Sequence, residues 1–152
     1  MFKDELQRDY PHVFGSIDLS NFQKISEFGE RLVAIHTGDS EPISVPSIDL
    51  LGSFGDVIER PLYKDETIWL NRAESFGFSG ITSMIWNIEI GGYKICEKWL
   101  KDRKGRKLSS ADCVYFVKVL WTLNETLNIQ GQIDDVVKLN GGWKKTFEMP
   151  IV

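Results

Sequence analysis

In WNIEIGGYKICEKWLKDRKGRKLSSAD, Trp86 to Asp112, a glycine pair separates a short β-prone run from a pattern of apolar residues at helical spacing, and a dense run of cations follows. The reading of this stretch decides the fold class. Trp86 to Ile90 predicts a short strand, and Gly91-Gly92 a turn whose backbone angles a side chain would resist. From about Tyr93 to Arg103, Ile95, Cys96, Trp99 and Leu100 fall on one face of a helix, and Gly105 ends it. Ser109 with Asp112 three residues later is the signature of another helix start. Val114, Val117, Leu120, Trp121, Leu123, Leu127, Ile133 and Val136 carry that helix to about Val137, with Gly131 as a weak point and a candidate bend.

On the N-terminal side, SNFQKISEFGERLVAIHTGD has Ser20 and Gln23 at capping-box spacing, and Phe22, Ile25, Phe28, Leu32, Val33 and Ile35 recur at helical intervals up to Gly38. The Pro- and Gly-interrupted EPISVPSIDLLGSFG reads as loop with one strand near Ile48 to Leu51. DVIERPLYKDETIWLNR predicts a hairpin, with strands over Val57 to Tyr63 and Thr67 to Asn71 around the turn Lys64-Asp65-Glu66. Pro61 has no amide proton to give to a neighbour, so the first of these strands belongs at a sheet edge or at a bulge. After ESFGFSG, Gly80 to Met84 reads as a single helical turn. The sum is an α+β protein of about three helices packed on a small, mostly antiparallel sheet. One domain is expected over 1–152, with 139–152 as a candidate flexible tail anchored by Trp143 and Phe147.

Hydrophobic residues form 42% of the chain and charged residues 26%, a balance that supports a packed core rather than disorder. No apolar run approaches the length of a membrane span, and MFKDELQRDYPHV has charges where a secretion signal needs an apolar centre. A cytoplasmic protein without membrane contact is expected. Cys96 and Cys113 lack a CxxC or Cys/His partner at metal-ligand spacing, so they read as buried, reduced thiols.

Chemistry is sparse. His12 and His36 have no GxSxG elbow or HExxH around them, and the glycines form no phosphate-cradling GxGxxG or GxxxxGK[ST]. Asp102-Arg103-Lys104 is the one acid-x-lysine element a metal-dependent nuclease would use, but it lies at a helix end. No cofactor, metal site or catalytic residue is expected. The cations remain. Lys94, Lys98, Lys101, Arg103, Lys104, Arg106 and Lys107 stand against Glu97 and Asp102, so this window is +5 in a chain of net charge −4 and the rest is −9. Lys94, Lys98 and Lys101 share one helix face, and the other four continue into the following loop. A basic helix face plus loop suits a sugar-phosphate backbone, so these seven are the candidate DNA-binding residues. A solvated helix end is the plainer alternative.

With those residues in view, the chain resembles the C-terminal specificity domain of type ISP restriction-modification enzymes and related large adenine-specific DNA methyltransferases. The resemblance is carried by WNIEIGGYKICEKWLKDRKGRKLS, by DYPHVF, by FQKISEFGERLVAIHTGD, and by the long helix as far as IDD at Ile133 to Asp135. His12 stands where the family has Arg, so no anionic contact is carried over to that loop, and Thr37 stands where an apolar residue is common. The resemblance implies a module that reads the DNA target and follows a methyltransferase core. Here there is no N-P-P-[YF] motif, S-adenosylmethionine loop or helicase motif, so catalysis is expected from a missing or partner polypeptide. Two readings stay open: a DNA-binding specificity module, and an interaction module that docks a methyltransferase or other acidic partner without touching DNA.

Overall fold

At Lys64-Asp65-Glu66-Thr67 the chain reverses through two residues with left-handed backbone, Asp65 at φ 50° and Glu66 at φ 55°. Turns of that hand match the natural twist of paired strands. The turn joins β2 (Leu62–Lys64) to β3 (Thr67–Trp69), with Leu62 opposite Trp69. The structure, a computed structural model, describes residues 18–43, 45–52 and 56–142. The expected first strand is shorter than Val57 to Tyr63, because Val57 pairs instead with Lys107 in an isolated bridge. β1 (Asp49–Leu51) and β4 (Gly77–Ser79) complete an antiparallel sheet of order β1-β4-β3-β2. β2 is therefore an edge strand, as Pro61 just before it requires.

β4 was not expected from the sequence. A Cβ on Gly77 would lie 2.4 Å from the Ile68 carbonyl oxygen, so glycine here reflects close strand approach and not a loop. Thr82 accepts the Ile85 amide at 3.4 Å and starts α2 at Ser83–Asn87, placing Trp86 in a buried helical position. The strand predicted from Trp86 is thereby reduced to β5 (Glu89–Ile90), which pairs with β6 (Tyr93–Lys94) across Gly91 and Gly92. Those glycines have φ 61° and 83°, as the turn reading required.

Among the described residues there are four helices, the three expected and the short α2. α1 (Leu19–Thr37) is capped by Asp18 and not by Ser20: the Asp18 carboxylate accepts the Ser20 amide at 2.9 Å, and its carbonyl accepts that of Phe22 at 3.0 Å. An acid at this end also meets the helix dipole favourably. Ile35 is buried and Ile25, Phe28 and Leu32 are half-buried, but Phe22 and Val33 are exposed. Gly38, at φ 82°, takes the chain out. α3 (Ile95–Lys101) buries Cys96 and Leu100. α4 (Ser110–Leu139) runs unbroken through Gly131. Its buried stripe is Cys113, Phe116, Leu120 and Leu123, while Val114, expected inside, is exposed. Trp99 and Trp121 are half-buried. Trp143 and Phe147 lie outside the described residues.

By contacts the chain divides into two compact units, Ile35–Asn128 and the described residues on either side of it. In the first, Ile58, Ile68, Leu70, Phe76, Phe78, Ile81 and Ile85 from the sheet and its loops form one core with Cys96, Leu100, Phe116 and Leu120. Phe78 and Phe116 meet edge to face at 5.1 Å, a favoured ring geometry that ties β4 to α4. In the second unit, Asn21 donates to the Asn140 side chain at 2.7 Å. Cys96 and Cys113 are free and buried, and burial pushes the Cys96 thiol up to about 12.

Candidate nucleic-acid interface

α3 ends at Lys101 because the next turn tightens: Arg103 N–H bonds to Leu100 O and Lys104 N–H to Lys101 O, both at 3.1 Å, before Gly105 takes φ 80°. Residues 102–107 then fold back on the core. Gly105 donates to Ile58 O at 2.8 Å, and Ile58 donates to Arg106 O at 2.9 Å. Ile58 is fully buried, and buried Leu100 and Leu108 flank the turn. The backbone carrying the cations is therefore anchored on both sides, although most of their side chains reach solvent.

The seven candidate cations separate into three groups. On the helix face, Lys98 pairs with Asp102 and Lys101 with Glu97, each at 2.8 Å, and Lys94 Nζ donates to Asn87 Oδ1 at 2.9 Å. Both ion pairs are largely solvent-exposed, hence weak and readily exchanged for a phosphate. In the turn, Lys104, Arg106 and Lys107 are exposed and make no side-chain hydrogen bond or ion pair among the described residues. Arg103 differs from both. Its guanidinium lies 3.6 Å from the Trp99 ring centroid, and its Nη1 donates to the Trp99 carbonyl at 3.1 Å.

Two features escaped the sequence reading. Asp112, assigned there to helix capping, also sits in the field of the turn. The Ser109 hydroxyl and amide donate to its carboxylate at 2.6 and 2.9 Å and hold it below the usual carboxylate range, with Arg103 and Arg106 adding to the effect. Asp112 thus tempers the positive potential just beyond the +5 window. The second feature is aromatic. Trp99 stacks on Phe116 at 4.6 Å and on Tyr115 at 6.3 Å, and Lys98 lies 5.8 Å from the Tyr93 ring. Tyr93 and Tyr115 are exposed. The signal for the Trp99–Arg103 contact was present as an i, i+4 pair within the helix expected from about Tyr93 to Arg103.

Acid–base or metal chemistry finds little support around this turn. Among the described residues, no group of three or more His, Cys, Asp or Glu side chains is placed to hold a metal ion. Asp102 is engaged by Lys98. His36 shares a hydrogen bond with Thr126 at 2.9 Å on the wall of a cleft of about 520 Å³. Among the described residues, no helix is long and apolar enough to cross a membrane. What the turn can do is present positive charge on a fixed backbone.

Two solved structures share this fold. One is the ATP-dependent Type ISP restriction-modification enzyme LlaBIII bound to DNA, with a TM-score of 0.58 at 14% identity over 89% of this chain and 10% of that one. The other is a nuclease-deletion mutant of the Type ISP restriction-modification enzyme LlaGI in complex with a DNA substrate mimic, with a TM-score of 0.57 at 15% identity over 87% of this chain and 12% of that one. The chain thus spans only 10% and 12% of the length of these two enzymes. No curated protein matches it. The sequence from residue 1 to residue 131 matches the family described as the Type ISP C-terminal specificity domain. That match takes in α1, the whole sheet, the basic turn and most of α4, and by it the chain belongs to the Type ISP C-terminal specificity domain family.

Proposed function

We propose that the chain is the DNA target-recognition module of a Type ISP restriction-modification system, and that the turn from Arg103 to Lys107 is where it meets the duplex. One observation carries this reading: Lys104, Arg106 and Lys107 are exposed, with no side-chain hydrogen bond or ion pair among the described residues, on a backbone tied to the core at Ile58. Such cations release counterions from DNA at little cost in broken contacts. Family membership supports the reading, and both structural neighbours were solved with DNA or a DNA mimic. Methyl transfer and strand cleavage then belong to other segments of a longer enzyme or to a partner polypeptide.

Fluorescence anisotropy with a labelled duplex across a salt series tests it. Three phosphate contacts correspond to a slope of log K against log salt of about −2.7, from about 0.9 per contact. Lys104→Gln, Arg106→Gln and Lys107→Gln together should remove most of that slope and weaken binding to all sequences alike. A wild-type chain with no salt-dependent binding at low ionic strength, while a methyltransferase polypeptide binds through the same residues, would replace this reading by docking.

A further inference from the structure

Of the seven cations, one has its side chain held against a core-packed ring before any ligand arrives. We infer that Arg103 is the base-reading residue of the turn, contacting the major-groove edge of a guanine, whereas Lys104, Arg106 and Lys107 supply sequence-blind phosphate contacts. This rests on the DNA-recognition reading above.

A continuous set of contacts leads from the core to the guanidinium. Phe78 on β4 and Phe116 on α4 are fully buried and packed edge to face at 5.1 Å. Trp99 stacks on Phe116 at 4.6 Å with 25° between the planes, and the Arg103 guanidinium lies over Trp99 at 3.6 Å. The hydrogen bond from Nη1 to Trp99 O at 3.1 Å fixes rotation about the remaining axis. The backbone of Arg103 is held as well, donating to Leu100 O and accepting from Arg106 N–H at 3.0 Å.

Reading a base edge and neutralising a phosphate require different mechanics. A guanine presents two acceptors side by side, and the planar guanidinium fork matches them bidentately only when its orientation is set. A fork already held by stacking loses little further freedom on contact. Of its five N–H groups one is given to Trp99 O, which leaves four donors. The side chain is half-buried, so part of it still reaches solvent. An exposed cation without a side-chain partner can instead follow a phosphate wherever the backbone runs. The same turn thus carries both kinds of cation, separated by whether an aromatic ring holds them.

The test is selection of bound duplexes from a library with a randomised central segment, at one salt concentration, by the wild-type chain and its variants. The wild type should enrich a motif containing a G·C pair that Arg103→Lys no longer prefers. Discrimination at that position should fall on the order of tenfold while the salt slope is retained, since the charge is kept. Trp99→Leu, which keeps apolar volume but removes the ring face, should blur the same position and no other. The triple glutamine variant at Lys104, Arg106 and Lys107 should keep the motif and lose the slope. A merely structural Arg103 would weaken all sequences equally and lower the melting temperature, leaving the motif of Arg103→Lys unchanged; that outcome overturns the assignment, as does wild-type binding without any sequence preference. Absence of all wild-type binding would overturn the DNA-recognition reading itself.

Discussion

Gly80 and Gly92 have almost the same backbone conformation, φ 82° and 83°, and very different surroundings. A Cβ on Gly92 would meet nothing within 4 Å, whereas one on Gly80 would lie 2.1 Å from the Ser47 carbonyl oxygen. Left-handed backbone costs a residue with a side chain roughly 1–2 kcal/mol, and that is all Gly92→Val should lose. Gly80→Ala should lose more, because the Ser47 carbonyl must also move, and that carbonyl lies on the chain leading into β1. Urea unfolding of both variants compares them; equal losses would mean the Ser47 segment yields freely. The sequence reading found the Gly91-Gly92 turn because two glycines between a strand and a helix pattern announce positive φ. It did not single out Gly80 or Gly77, because close approach of two backbones distant in sequence leaves no trace in local pattern.

The helices show the same division between local and non-local causes. The capping box of α4 was legible: Ser109 and Asp112 bond reciprocally, with Ser109 Oγ accepting the Asp112 amide at 3.1 Å. At α1 the same rule chose Ser20, two residues too late, since Asp18 is equally suited and lies immediately before the true start. Helical faces were legible only to within about one residue. Val114 and Phe116 both fit an apolar stripe, and it is the stack with Trp99 and Phe78 that draws Phe116 inside. Asp112 gives this element a pH dependence with a definite sign. Its folded-state pKa is lowered, chiefly by the Ser109 hydroxyl and then by the Ser109 amide, so its ionised form stabilises the fold above the ordinary carboxylate range. That contribution declines as pH falls through the lowered value. Asp112→Asn should therefore be less stable than wild type near neutrality, and the difference should shrink toward acid. A constant difference across an acid titration followed by circular dichroism would show that the carboxylate's charge contributes nothing.

Over the whole molecule, a net charge of −4 conceals a +5 window in a −9 remainder, and that much could be counted from the sequence. Which of those charges are available could not be counted. Glu97 and Asp102 face Lys101 and Lys98 across one helical turn, so two of the three helix-face lysines are internally neutralised, while Lys104, Arg106 and Lys107 form no ion pair among the described residues. Exposed charges farther apart than about 10 Å are largely screened, so these neighbours matter more to a bound phosphate than the distant acidic remainder. If α3 lies along the duplex, replacing the two acids should recruit its lysines. Glu97→Gln with Asp102→Asn changes the net charge by two and frees Lys98 and Lys101 from their partners. Two further phosphate contacts would steepen the salt slope by about 1.8 and raise affinity for every sequence together. Asp65→Asn with Glu66→Gln is the control, since it alters net charge equally in the β2–β3 turn without releasing a lysine. A gain common to both double variants would reflect overall repulsion alone. No gain from the α3 variant would confine the interface to the turn, because two freed lysines facing DNA could not leave its salt dependence unchanged.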